Sequence, residues 1–283
     1  MSAQSEDRRN SMLDSWEESS MGWGRQADRV RDAAVAVSDW LLEHARLAPG
    51  LRVLELAAGP GDTGFMAARR VAPGGTLICS DGTAGMLAVA RERAAQQGLQ
   101  NVEFKQLALE WIDLEAASVD VVLVKWGVML TLDPGAALRE CRRVLRPGGQ
   151  IALAVWDVAD ANPWVTIPQR AMIDQGLAEP PTPGEPGMFA LAEPDHLRTL
   201  MADAGFMEIL IEPIPMPRSY SSLDEWLGET IDLSRGFRTV WDGSGEGQRQ
   251  ALRVSIAGLA ESFTDTHGAI TLPALSLGAS ASA

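Results

Sequence analysis

Two acids and a glycine turn stand at spacings that suit a nucleoside. Glu55 lies in the apolar run VLEL, Gly59 and Gly61 follow in AAGPG, and Asp81 comes twenty residues after Gly61. Glycine has no Cβ, so a turn built on Gly59 and Gly61 lets backbone N–H groups approach a ligand at a helix start. GPGDTG (59–64) fits the pattern GxGxxG, and an acid twenty residues further on is placed to accept hydrogen bonds from two ribose hydroxyls. The chemistry selects an adenosine-containing cofactor. The loop alone leaves nicotinamide adenine dinucleotide and S-adenosylmethionine both open. Glu55 tilts the choice, because a carboxylate ahead of the turn suits a cationic ligand and sits awkwardly beside a pyrophosphate.

Composition narrows the partners. The chain has 283 residues, 46% of them hydrophobic, and a formal net charge of −14. That charge repels phosphate backbones and anionic lipids, and no Lys/Arg cluster offsets it, so nucleic acid is not expected as a partner. No apolar run is long enough for a membrane span, and the polar start MSAQSEDRRNSM has no signal-peptide core, so a cytoplasmic protein is expected. His44, His196 and His267 are far apart and no HxxxH or CxxC pair occurs, which argues against a metal site. Cys79 and Cys141 lie in apolar elements and read as buried free thiols in a reducing compartment.

The elements that must position the acids alternate strand and helix. Residues 1–10 read as disordered, and 12–44 as helix interrupted at Met21–Gly24. Strands are expected at 52–56, 76–80, 102–106, 119–125 and 151–156, with helices at 63–71, 84–96 and 134–145 between them and a turn at Pro147-Gly148-Gly149. The runs VDVVLV and IALAV are apolar on both faces, as a parallel sheet covered by helices requires. Beyond Trp156 the expectation is a helix within 160–178, an irregular EPPTPGEPG (179–187), a helix from Pro194 to Gly205 and a strand at 207–211. Residues 222–263 read as helical with a break at 242–247, Ile270–Leu277 as a final strand, and GASASA as a frayed end.

With these residues in place, the chain resembles the class I S-adenosylmethionine-dependent methyltransferases of the UbiE-like, or type 11, group. The resemblance rests on ExAxGxGD at 55–62, SDGTAGML at 80–87 and VDVVLVKWGVML…ALRECRRVLRPGGQIALAVW at 119–156. EPDHLRTLMADAGF (193–206) extends it. It implies an α/β, Rossmann-like sheet of seven strands, the last one antiparallel, with helices on both faces. The expected organisation is a helical cap at 1–45 and a methyltransferase domain at 46–283 carrying a helical insert near 222–263.

The resemblance also implies roles. Ala57, Gly59 and Gly61 would pass beside the methionine and ribose of S-adenosylmethionine, and Glu55 would sit near the methionine amino end. Asp81 would hold the ribose, with Gly82 and Met86 flanking the adenine. The backbone of Lys125 and the side chain of Trp126 would lie near the sulfonium, with Trp23 in the same cleft. Many relatives carry an Asp where this chain has Ala108. The adenine contact is therefore lost, passed to the backbone around Leu109, or misaligned by one residue. The first glycine of the usual loop is Ala57, still a small residue.

Methyl transfer from a sulfonium, leaving S-adenosylhomocysteine, is an in-line displacement in which positioning carries much of the catalysis. The chain has nine Trp and one Tyr. Trp16, Trp126, Trp156 and Trp164 are expected near the acceptor, suggesting an apolar, aromatic-lined pocket for a small molecule, quinone-like or natural-product-like, methylated at oxygen or carbon. Asp157 and His267 are candidates for a base; Lys125, with a stem long enough to snorkel to solvent, is not. Two other readings stay open: an S-adenosylmethionine-binding protein without catalysis, which Ala108 permits, and an NAD(P)-dependent oxidoreductase, which lacks a YxxxK pair here.

Overall fold

The computed structural model describes residues 3–182 and 185–283. Two helices, α1 (Ala3–Ala33) and α2 (Val35–His44), precede an alternation of β1 (Arg52–Leu56), α3 (Asp62–Val71), β2 (Thr76–Asp81), α4 (Ala84–Gln96), β3 (Val102–Gln106), β4 (Val119–Lys125), α5 (Pro134–Val144) and β5 (Leu145–Trp156). Then come α6 (Pro163–Asp174), α7 (Pro194–Asp203), β6 (Met207–Pro215) and the short β7 (Arg218–Tyr220). Helices α8 (Leu223–Leu233), α9 (Arg235–Gly243) and α10 (Glu246–Leu259) lead to β8 (Ile270–Leu272) and β9 (Leu275–Ser282).

Seven strands form one sheet in the order β3-β2-β1-β4-β5-β9-β6, and β9 runs antiparallel to both its neighbours. This is the expected fold class. From β1 the chain winds outward through β2 to β3, then returns to place β4 on the other side of β1. The crevice at the carboxyl ends of β1 and β4 is the switch point where open α/β sheets bind ligands. The central strands supply an almost wholly apolar core: Val53, Leu54, Leu56, Val122 and Val124 have no solvent-accessible surface. Helix α5 begins at Asp133, whose carboxylate caps the Ala136 N–H at 2.8 Å, and it buries Leu138, Cys141 and Val144 against the sheet.

Several local expectations give way to tertiary contacts. Residues 3–10 belong to α1; residues 1 and 2 lie outside the described residues, as do 183 and 184 within the otherwise irregular 179–187 stretch. Helix α1 runs unbroken through Met21–Gly24 and ends at Ala33 instead. Gly22 marks a helix crossing: a Cβ there would stand 2.1 Å from the Asp232 carbonyl oxygen of α8. The final strand divides at Pro273, which has no N–H to donate, so β8 pairs with β7 and β9 enters the main sheet. The Pro147-Gly148-Gly149 segment lies within β5, and the Gly149 carbonyl accepts the Ala283 N–H at 2.8 Å. The GASASA segment is accordingly an inner strand rather than a frayed end. Its small residues admit α2: a Cβ on Gly278 would stand 2.6 Å from the Trp40 ring.

A second apolar cluster lies beneath α6, α8, α9 and α10, where Trp226, Phe237, Leu252 and Ile256 are buried with Tyr220 and Leu272. Its core thus draws on α6 and the β7–β8 pair as well as on residues 222–263. Among the described residues, no helix is long and apolar enough to cross a membrane, and no group of His, Cys, Asp and Glu is arranged to hold a metal ion.

Candidate cofactor and active site

The turn after β1 is built in the left-handed region: φ is +50° at Ala57, +52° at Gly59 and +88° at Gly61. Ala57 accepts the strain that a side chain brings in that region. The Ala58 N–H reaches the Ser80 carbonyl oxygen at 2.9 Å, tying the turn to β2. Glu55 does not lie on the cleft wall. It is 2% exposed and turns beneath the first turn of α3, where its Oε1 accepts the Gly64 N–H at 2.9 Å. Its Oε2 is buried without a hydrogen-bond partner. Burial pushes its pKa up to about 8, against the opposing pull of Lys125 and the Gly64 N–H.

Asp81 faces the cleft from the end of β2. Its Oδ2 accepts the Gly59 N–H at 2.9 Å, and its Oδ1 accepts from the Thr83 N–H and Oγ1, each at 3.0 Å. Burial raises its pKa, and these donors hold it back. Gly82 and Met86 line the same end, with Leu13 of α1 set so close to Gly82 that a Cβ there would meet it at 2.8 Å.

Lys125 and Trp126 end β4 on the opposite side of the glycine turn. Trp126 adopts φ +58°, donates its backbone N–H to the Ala154 carbonyl at 2.8 Å, and donates its indole N–H to Ser276 Oγ at 3.0 Å. Its ring stacks on Trp156, with centroids 4.3 Å apart, and Trp164 tilts against Trp156 at 5.2 Å. Of the expected tryptophans, Trp16, Trp23 and Trp126 line the cleft, whereas Trp156 and Trp164 stand behind Trp126 as its support. Lys125 does not run out to solvent: it lines the cleft, with Nζ 3.4 Å from Ser38 Oγ. Burial lowers its pKa, opposed by Asp62 and Glu55.

Helix α1 closes the cleft from above through Met12, Leu13, Trp16, Trp23 and Val30. Arg9 Nε donates to Glu110 Oε2 at 3.1 Å, and Glu110 Oε1 accepts the Asp133 N–H at 2.9 Å. Further along α1, Glu17 Oε2 accepts the Gly85 N–H at 3.0 Å. The cleft is open at its mouth, and the cavity inside it measures about 180 Å³. Ala108, Leu109 and Glu110 all line it.

Asp157 and His267 do not line this cleft. The Asp157 carboxylate accepts the Val158 N–H at 2.6 Å, and His267 is exposed in the turn closed by Asp265. Sequence reasoning passed over Asp62, Glu110 and the α1 residues Arg9, Met12 and Leu13. Asp62 is the last letter of ExAxGxGD and lines the cleft while pairing with Arg93 at 2.5 Å. The α1 residues leave only a helical apolar stripe as a signal.

Comparison with known proteins shows the family. Residues 47–204, more than half of the chain, match the family described as "Methyltransferase domain". The chain belongs to this family. Within it the chain is similar to an arsenite methyltransferase of Halobacterium salinarum, at 32% identity over 64% of this chain and 43% of that protein. It is also similar to the ubiquinone/menaquinone biosynthesis C-methyltransferase UbiE of Xanthomonas oryzae, at 39% identity over 38% of this chain and 42% of that protein. The chain therefore matches less than half the length of these relatives. Among solved structures, the YcgJ protein from Bacillus subtilis shares the fold with a TM-score of 0.58 at 18% identity, over 87% of this chain and 97% of that one. The phosphoethanolamine N-methyltransferase 2 of Haemonchus contortus, solved with S-adenosyl-L-methionine, shares it with a TM-score of 0.53 at 16% identity, over 87% and 52%.

The chain carries this family's domain, and its cleft suits S-adenosylmethionine, the cofactor that the resemblance implies, on its own chemistry. The Trp23 indole N–H is buried without a partner in a residue that lines the cleft. A Cβ built on Gly59 would meet nothing within 4 Å, so the turn leaves open space where a ligand can approach. A carboxylate at Asp81 and an ammonium at Lys125 stand on either side of that turn.

Proposed function

We propose that this methyltransferase moves the methyl group of S-adenosylmethionine onto the oxygen or carbon of a small, apolar or aromatic acceptor. The observation that carries this reading is the cover: α1 lies over the cleft with Met12, Leu13, Trp16, Trp23 and Val30, a largely apolar wall that suits a small apolar molecule, and its one lining arginine, Arg9, is held by Glu110. The net charge of −14 points the same way.

When bound, the cofactor supplies a methyl group on a positively charged sulfur. Asp81 would accept from the ribose hydroxyls while holding Gly59 and Thr83. Gly82, Met86, Ala108 and Leu109, which line the cleft, would hold the adenine. Trp126, held by Ser276 and stacked on Trp156, presents an aromatic face that suits a sulfonium and keeps water away. The chemistry the cofactor would supply is exchange of the methyl carbon–sulfur bond for a bond to the acceptor, with S-adenosylhomocysteine as the leaving product and the acceptor's proton released to solvent. The cleft-lining carboxylates are already engaged: Asp62 by Arg93, Glu110 by Arg9, and Asp81 by Gly59 and Thr83. Catalysis then rests on positioning, and the fitting acceptor ionises readily itself, as a phenol or an enolisable carbon does.

Calorimetric titration with S-adenosylmethionine, S-adenosylhomocysteine and NAD tests the cofactor. The first two are expected to bind and NAD is not; NAD binding alone would overturn the reading. Phenolic and quinol acceptors are then screened by a mass gain of one methyl group. Tight cofactor binding with no turnover on any of them would favour a binding protein without catalysis.

A further inference from the structure

We infer that the Lys125 ammonium is the docking point for the α-carboxylate of the cofactor's methionine part, with Ser38 and Thr63 setting its position. The family resemblance assigns only the Lys125 backbone to the cofactor; the side chain is the new element, and the inference rests on the S-adenosylmethionine reading above. Its first ground is placement. Asp81 ends β2, the glycine turn follows β1, and Lys125 ends β4, so the three stand in sequence across adjacent strands β2-β1-β4. With the ribose on Asp81, the amino-acid tail crosses the turn toward Lys125.

The second ground is a charge without a direct ion pair. Lys125 lines a cleft whose walls are mostly apolar, yet among the described residues it forms no ion pair. Its one hydrogen bond runs to Ser38 Oγ at 3.4 Å. Glu55 and Asp62 lie near enough to favour its charged form but neither pairs with it directly; an ammonium drawn out of water gains from a carboxylate in contact, and a ligand carboxylate provides one. The third ground is support beneath it. Ser38 is 3% exposed and Thr63 1% exposed, and their hydroxyls meet at 2.9 Å. This buried pair links α2 to α3 and holds the lysine head at the wall. The Trp126 ring, 5.3 Å from Nζ, limits its swing on the other side.

The test is a cycle of two proteins and two ligands, read by calorimetry. The ligands are S-adenosylmethionine and its decarboxylated analogue, which keeps the sulfonium, the amine and the adenosine. Wild type is expected to bind the analogue roughly 10- to 100-fold more weakly, the scale of a hydrogen-bonded charge pair. Lys125→Met is expected to lose a similar factor for S-adenosylmethionine and less than about threefold for the analogue, with Lys125→Arg restoring part of the loss. Equal losses for both ligands would reduce Lys125 to a wall residue and overturn the inference. So would unchanged binding of S-adenosylmethionine by Lys125→Met. If that variant does not fold, Lys125→Arg takes its place, with a loss expected for S-adenosylmethionine and not for the analogue, and equal affinity of wild type for the two ligands overturns the inference without any variant. Failure of wild type to bind either ligand would instead overturn the cofactor reading itself.

Discussion

Asp81 on β2 accepts the Gly59 N–H of the β1 turn at 2.9 Å. One carboxylate therefore shapes the glycine turn and faces the cleft. Asp81→Ala leaves the Gly59 and Thr83 donors without their acceptor, which costs about 1–3 kcal/mol. The expected outcome is a lower urea midpoint together with at least about tenfold weaker S-adenosylhomocysteine binding, the size of one lost charged hydrogen bond. Unchanged affinity in a folded variant would remove Asp81 from the site.

Gly64 lies over Glu55. Alanine in a helix interior ordinarily stabilises by up to about 1 kcal/mol relative to glycine. Here its Cβ would stand 2.1 Å from Glu55 Oε2. Gly64→Ala is expected to destabilise by about 1–3 kcal/mol, and Glu55→Ala in the same chain to relieve part of that cost. Strict additivity in chemical denaturation would show that the two side chains do not meet.

Stability is expected to depend on pH through Glu55. Its carboxyl has an ordinary pKa of 4.5 and one of about 8 in the folded protein. The folded state keeps a proton that the unfolded chain releases. The stability linked to that proton is fully present below pH 4.5 and is lost as pH rises through about 8. The raised pKa of Asp81 acts in the same direction, and the lowered pKa of Lys125 acts in the opposite one. The Glu55→Gln variant isolates the Glu55 share: its thermal midpoint should rise relative to wild type between pH 5 and pH 8, values bracketed by that window. A difference constant across the range would contradict the buried, protonated carboxyl.

Gly278 in β9 leaves room for Trp40 and Ile214. A Cβ there would stand 2.6 Å from each of them. Gly278→Val is expected to cost about 1–3 kcal/mol by overpacking. It should speed amide exchange in β6 and β9, measured by hydrogen–deuterium exchange. Wild-type protection in this variant would mean that α2 does not seat on the strand.

Much of the sheet was legible because its signals are short-range. The apolar runs at 53–56 and 119–124 and the turn chemistry at 59–61 place strand and helix within a few residues. The C-terminal strand was misread for a physical reason: GASAS lacks the bulky β-branched residues that mark a strand, and its small size makes sense only beneath Trp40. Met21–Gly24 was misread in the same way, since Gly22 answers to the Asp232 carbonyl of a helix two hundred residues away, roughly, along the chain.

Local spacing by itself determined the α/β class, the glycine turn, the two acids at neighbouring strand ends and the family. Each depends on residues within one element and its adjoining turn. Only the tertiary structure decided that Glu55 turns under α3, that Lys125 runs into the cleft, that α1 closes over it, and that Trp156 and Trp164 stand behind Trp126. Those facts depend on which distant segments share a surface. Trp126 and Ser276 are 150 residues apart in the chain and 3.0 Å apart in the fold, and a contact of that kind leaves no period in a sequence.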